Sequence, residues 1–436
     1  MSQTAPGAPV PAPQARTATP APVGAAAPAP QDARFTENVP QVLNRLQALA
    51  VAACLVFGIA AAVVQVLSWQ AAGRAADNTE QVVRVQQIQS LLLRAEAVAT
   101  NSYLYDGLEP AEARAEYDEA IDDALRLITD AAEAQPADRA VLADLNSTVS
   151  TYTNRVSQAR DLNRQQLPIG IAYLTKAREA LRGSAADQTV GAVQLTQALV
   201  DANTERAEDE MHGQHPFWLL GLGALALVAL FLVNRQVARR FHRRFNVGLV
   251  VAALAVLVLT VLSAGRAVVK NNDDDATRDG PYRTAVDEAT ARTAANDAKA
   301  YESGNLIARG SGAAYDTANF APAAERVEQT ASDATLALWR DYLAQHEAVR
   351  ELDDAGDWNG AVARVRETGE GSPTALLDAV DESAAGVVDA SGAEAVDGFR
   401  SGGALSVGLA VVTLLGALFA AVAATRGIGV RRKEYS

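Results

Sequence analysis

A chain of 436 residues that is 49% apolar, 21% charged and carries a net charge of −14 leaves soluble and membrane classes open, but its acidity argues against nucleic acid as a partner. Its single cysteine, Cys54, excludes an intrachain disulfide. The distribution of charge decides the class: Leu46 to Trp69, Pro216 to Val233, Val247 to Gly265 and Ala404 to Thr425 contain no charged residue. Each stretch approaches or exceeds the roughly 17–25 residues with which a helix crosses a bilayer core about 30 Å thick.

Residues 1–35 hold eight of the 16 prolines and no aromatic before Phe35. Such a segment cannot bury enough apolar surface to offset its ordering, so residues 1–40 are expected to be a disordered cytosolic tail. Arg16-Thr17-Ala18-Thr19-Pro20 offers a phosphoacceptor pattern there, against the simpler reading of an inert tether. The first span, 46–69, contains Val51-Ala52-Ala53-Cys54, which looks like a lipoprotein cleavage box. A long uncharged run follows this box, where a true one would end the run, so Cys54 reads as a packing residue and the span as an anchor.

Residues 70–215 carry 13 basic and 23 acidic side chains. Val85, Ile88, Leu92, Ala95 and Ala99 recur in steps of three and four, as do Leu142, Leu145, Val149, Tyr152, Val156 and Ala159; these are seams of helices packed in a bundle. Breaks at Asp106-Gly107, Gln135-Pro136 and Pro168 divide the segment into about four helices. His212 and His215, near Asp209 and Glu210, have metal-ligand chemistry, but Gly213 and Pro216 disrupt the helix that would align them.

After the second span, 216–233, the hairpin 234–246 holds Arg235, Arg239, Arg240, Arg243 and Arg244 and no acid. Lys and Arg resist translocation, so this hairpin and the tail 426–436, with Arg431, Arg432, Glu434 and Tyr435, are placed in the cytosol. Both termini are then cytosolic and both long acidic segments extracytoplasmic, in the plasma membrane. The arginines fix topology and meet the headgroups of membrane lipids. With the tail, they are also the candidate surface for coupling to a cytosolic protein.

Between the third span, 247–265, and the fourth, 404–425, residues 266–403 form the second acidic segment; from Ser263 to Gly403 it counts 13 basic and 26 acidic residues. Val327, Ala331, Ala334 and Leu338, then Leu377, Val380, Ala384 and Val387, continue the helical period. Breaks fall at Gly310 to Gly312, Gly356 to Gly360 and Gly369 to Pro373. Asn271 to Asp275 invites a calcium reading, but Thr277 and Arg278 stand where an EF-hand needs a ligand and a glycine. The polar stretch Asn296 to Gly312 stands apart. Lys299, Glu302, Asn305 and Arg309 are its candidate contacts to an extracytoplasmic partner, since a guanidinium pairs bidentately with a carboxylate, against the simpler reading of a solvated face ending in a C-cap.

One order of elements is thus used twice. The expected fold is all-α: four transmembrane helices with two tandem extracytoplasmic up-and-down helical bundles, pseudo-duplicated. No phosphate-cradling loop, metal-ligand set or nucleophile elbow occurs, so no cofactor, no catalysis and no direct small-molecule substrate are expected. The absence of charge inside the spans argues against transport.

The plan of spans, with the phrases Ala159 to Arg164, Pro168 to Leu174, Lys299 to Gly312 and Gly427 to Tyr435, resembles the actinobacterial GlnX-like four-span membrane proteins. The resemblance covers everything after the proline-rich tail. It implies a solute-binding lipoprotein (GlnH) outside and a Ser/Thr protein kinase (PknG) inside as partners, and signal transduction from aspartate or glutamate sensing; no site residue carries over from it. A non-switching envelope scaffold is the alternative that the same bundles would serve.

Overall fold

The computed structural model describes residues 39–105, 108–241, 246–309 and 315–433. Among these the chain is all-α, with one isolated antiparallel bridge between Ser184 and Thr189. The chain begins with α1 (Val39–Ser102), an unbroken helix of 64 residues. It carries the first uncharged stretch straight into a helical body. There α2 (Ala111–Ala134) returns, α3 (Arg139–Arg164) rises again, and α4 (Gly170–Arg182) with α5 (Ala192–Met211) forms a fourth limb in two pieces. After α6 (Pro216–Phe241), α7 (Val247–Thr277) passes through a π-turn, Arg278–Tyr282, into α8 (Arg283–Ala308). That wider turn takes up Pro281, whose missing N–H would interrupt a regular helix. The second bundle follows with α9 (Ala321–Thr330), α10 (Asp333–Asp354), the short α11 (Trp358–Val365) and α12 (Pro373–Arg400), and α13 (Gly403–Lys433) closes the chain.

Two rods of nearly equal length therefore organise the molecule, α1 and the continuous α7–α8. Four helical stretches, Gln41–Ser102, Ala192–Arg239, Val247–Ala308 and Pro373–Val430, are long and apolar enough to cross a membrane. Their outward side chains, among them Leu49, Ile59, Phe217, Trp218, Leu254 and Leu415, are apolar and exposed. An apolar girdle of that extent suits hydrocarbon and not water, and the protein is a membrane protein. Within the spans α1 and α7 each pack along both α6 and α13. A Cβ on Gly58 would lie 2.2 Å from the Cβ of Ala417, so a glycine is what lets α1 and α13 approach this closely.

The first bundle's core gathers Leu92, Leu142, Leu145, Tyr152 and Leu181, and the second's Phe320, Trp339, Tyr342 and Leu377. In the first, Asp138, only 1% exposed, ties the α2–α3 turn to two other helices. It accepts hydrogen bonds from Gln81 of α1 at 3.2 Å, and from Asn203 at 2.7 Å and Arg206 at 2.9 Å on α5.

Two sequence readings need correction. The run from Val327 to Leu338 is not one helix: α9 ends at Thr330 and α10 begins at Asp333, with Ala331 and Ser332 extended. No glycine or proline marks the break. Instead the buried Glu288 accepts the Ser332 N–H at 2.6 Å and the Thr335 hydroxyl, satisfying the start of α10 from a distant helix. In the first bundle the fourth limb is interrupted between Gly183, at φ +84°, and Gly191, where a Cβ would meet the Gly183 nitrogen. Residues 1–38 of the predicted tail, and the breaks at Asp106-Gly107 and Gly310 to Gly312, lie outside the described residues.

Candidate functional site: a charged core between the bundles

The two bundles meet along α1 and α8, which pack against each other beyond the membrane. α8 explains why: Ala285, Ala289, Ala291, Ala294, Ala298 and Ala300 are buried on all its faces. A helix that is small or apolar all round is covered all round, here by its own bundle on one side and α1 on the other. Charged side chains on such a helix have no solvent to face and must find partners.

Glu96 of α1, 1% exposed, accepts from Arg178 Nε at 2.8 Å and Arg182 Nε at 2.9 Å, both on α4. Arg182 then reaches across to the second bundle. It pairs with Asp297 at 2.5 Å, donates to the Tyr301 hydroxyl at 2.9 Å and lies 4.6 Å from that ring's centroid. Arg178 donates to the Tyr315 hydroxyl at 3.4 Å. On the other side of the rod pair Arg94 of α1 meets Asp378 of α12 at 2.6 Å and Glu116 of α2 at 2.6 Å. Beside it, Arg292 holds Asp381 bidentately at 2.8 and 2.9 Å, with Asn296 at 2.9 Å. Two charged clamps thus join the bundles, one on each flank of the rods.

A third cluster stays within the second bundle. Glu302 of α8, 2% exposed, accepts from Lys299 Nζ at 2.6 Å and pairs with His346 Nδ1 at 2.7 Å. His346 stacks on Phe320 with centroids 3.5 Å apart and offers Nε2 to Asp316 at 3.2 Å. Glu96 and Glu302 hold the same station: each lies six residues before the end of its rod, at Ser102 or Ala308.

Burial alone would raise the carboxyl pKa values, and neighbouring cations reverse this. Arg182 and Arg178 hold Glu96 below the usual carboxylate range, and Lys299 and His346 hold Glu302 at about 2. Burial opposes the charge on His346, but Asp316 and Glu302 outweigh it and raise its pKa. Asp297, which must share Arg182 with Glu96, is pushed up by burial.

At the membrane edge each rod latches a jointed neighbour. α5 stops at Met211 and α6 starts at Pro216, and across this gap Ser68 of α1 donates to the Gly213 carbonyl at 2.8 Å. α12 stops at Arg400 and α13 starts at Gly403; there Lys270 of α7 donates to the carbonyls of Gly398 at 3.1 Å and Phe399 at 2.9 Å, and pairs with Asp274 at 2.7 Å. Helix-end carbonyls lack partners within their own helix, and a cation suits that end. Ser68 and Asp274 also share a station, 34 residues before the ends of their rods.

Of the sequence candidates for outer contacts, Lys299, Glu302 and Asn305 are buried, because α8 turns its polar face into the body. A docking protein does not reach them in this arrangement, which corrects their assignment to a contact surface. Arg309 is exposed and caps α8, its guanidinium 3.6 Å over Trp358. On the basic side Arg235 and Arg239 are exposed on α6. Arg240, Arg431 and Arg432 lie on helical backbone at the ends of α6 and α13, whereas Arg243, Arg244, Glu434 and Tyr435 fall outside the described residues. Sequence reasoning missed Glu96, Arg178 and Arg182; the available signal was a charge placed within the apolar seam of Leu92, Ala95 and Ala99.

Residues 71–212 match the family described as an actinobacterial sensor domain. The matched stretch is the first bundle, from the outer part of α1 to the joint after α5. It contains Glu96, Arg178 and Arg182 but ends before their partners in the second bundle. No curated protein and no solved structure gives a significant match to the chain. The first bundle is similar to a sensor domain, in a chain with four helical stretches long and apolar enough to cross a membrane.

Proposed function

We propose that the protein is a transmembrane signal transducer of the plasma membrane, with both bundles extracytoplasmic and both termini cytosolic. It relays the ligand state of an amino-acid-binding lipoprotein, responsive to aspartate or glutamate, to a cytosolic Ser/Thr protein kinase, and performs no catalysis itself. The observation that carries the reading is the pair of unbroken rods. Each runs from the basic side of the spans to the charged core between the bundles, so a change in how the bundles meet moves a rigid element through the bilayer. Shifts of about 1–2 Å along packed helices are the ordinary scale of such transitions, and a partner that binds one arrangement better shifts its population. The match of the first bundle to a sensor domain supports the sensing half. The resemblance to GlnX-like proteins supports the partners, and the exposed Arg235 and Arg239 supply a cationic surface for an acidic one.

The test is co-purification of the full-length protein from its own cells, with and without external aspartate or glutamate. Recovery of the kinase is expected to change with the amino acid, and to stop changing in an Arg182→Met variant that is still inserted. Recovery of the same partners regardless of the amino acid would overturn the relay and favour a non-switching scaffold.

A further inference from the structure

A cleft of about 760 Å³ opens between α1 and α5 of the first bundle and α8 and α9 of the second. Its size falls in the range of roughly 300–1,000 Å³ typical of small-molecule sites. Two features mark it as built for an occupant. Gln86 and Gln89 of α1 face it while only 6% and 7% exposed. The Gln86 carbonyl oxygen has no hydrogen-bond partner, while its amide nitrogen donates to the Val286 carbonyl at 3.5 Å. A buried amide left unsatisfied costs about 1–3 kcal/mol, so such groups persist where something polar meets them.

The second feature is charge. The cleft is lined by four carboxylates, Asp201, Glu205, Glu208 and Asp297, against two guanidinium groups, Arg182 and Arg326. Both guanidinium groups are engaged by Asp297, at 2.5 and 3.1 Å. Asp201 and Glu205, on the exposed rim of α5, have no ion-pair partner among the described residues. The uncompensated charge is therefore negative, and low-dielectric walls focus its field into the cleft.

We infer that this cleft binds a small organic cation, an amine such as a diamine, a polyamine or a basic amino acid. Its ammonium group sits against Asp201 and Glu205, and its remaining polar groups meet Gln86 and Gln89. Dicarboxylates are rejected by the same field. The inference rests on the transducer reading for its consequence: an occupant bridging α5 and α8 sets their spacing, and α5 ends at the joint latched by Ser68. It departs from the expectation that the chain takes no solute directly.

The experiment is calorimetric titration of the purified full-length protein in nanodiscs of phosphatidylcholine, at matched ionic strength. The probes are putrescine, spermidine and L-lysine, with succinate and L-glutamate as anionic controls. At least one amine is expected to bind saturably and neither anion to bind. A double variant Asp201→Asn with Glu205→Gln, altering only exposed residues, is expected to weaken binding at least tenfold, and Gln89→Leu several-fold. Absence of amine binding, or amine binding undiminished in both variants, would overturn the inference. Neither lipoprotein nor kinase is present, so this failure leaves the relay standing. A silent relay alongside intact amine binding overturns the relay alone.

Discussion

Glu96 and Glu302 occupy one station on two rods and are neutralised in opposite ways. Glu96 is held by Arg178 and Arg182, and Arg182 continues to Asp297 and Tyr301 in the other bundle. Glu302 is held by Lys299 of its own helix and His346 of its own bundle. Arginine offers five donors in a fixed fork and bridges several acceptors at once, whereas lysine and histidine each satisfy few. The first carboxylate is thus the centre of a clamp between bundles, and the second a lock inside one. A duplicated plan has been made asymmetric by its choice of cations.

The largest effect that tests this contrast comes from Glu96→Ala. Removing one member of a buried charge cluster strands the others, at a cost of about 3–5 kcal/mol. Thermal unfolding in nanodiscs should fall accordingly, and hydrogen exchange should rise in both α4 and α8. Glu302→Ala should raise exchange in α8 and α10 but leave α4 protected. Equal spread of exchange in the two variants would erase the distinction between clamp and lock.

A smaller step sets the second joint against the first. Lys270→Met removes a cation from the carbonyls of Gly398 and Phe399, and hydrogen bonds to charged groups contribute about 1.5–3 kcal/mol. Faster exchange is expected around 398–403, with the 211–216 joint unchanged. Spread of the effect to both joints would mean that the two rods do not act separately.

How far the sequence foretold this arrangement differs between regions. The spans were legible because a bilayer excludes charge and the four runs have none. Pro136, Pro322 and Pro373 stand at helix starts, since proline there loses no hydrogen bond. The break at Ala331-Ser332 was illegible because the group that satisfies it, Glu288, is 44 residues away in sequence. Lys299, Glu302 and Asn305 are conspicuous in the sequence, but their burial is not legible there, whereas Arg309 is exposed as a contact residue should be. Local spacing does not reveal that an alanine-rich helix is enclosed by a second bundle, and only that enclosure turns Lys299 and Glu302 into a buried pair.

The pH dependence should separate the halves further. His346 has a raised value in the folded protein against an ordinary 6.5. Its contribution to stability is therefore complete below 6.5 and disappears as pH rises through the folded value. Each unit of elevation corresponds to about 1.4 kcal/mol. Glu302 and Glu96 have the opposite sign: their depressed values contribute above the ordinary 4.5 and are lost as pH falls below it. Raising the pH from 6 toward alkaline values should then loosen the second bundle alone, read as exchange in α10. His346→Gln should flatten that response, and a matching alkaline loss in α4 would refute the assignment.

The smallest effect belongs to the first joint. Ser68 holds the Gly213 carbonyl through a neutral hydroxyl at 2.8 Å, and such a bond contributes about 0.5–1.5 kcal/mol. Ser68→Ala should scarcely change the melting temperature but should speed exchange at residues 212–216. The first joint is therefore the softer of the two, and it follows directly on the bundle that resembles a sensor domain. If movement enters through that bundle, the weak hydroxyl latch is where it reaches α6 with least resistance. Ser68→Ala should then raise the basal signal to the cytosol, whereas Lys270→Met should not. The opposite ranking would place the entry of the signal in the second bundle.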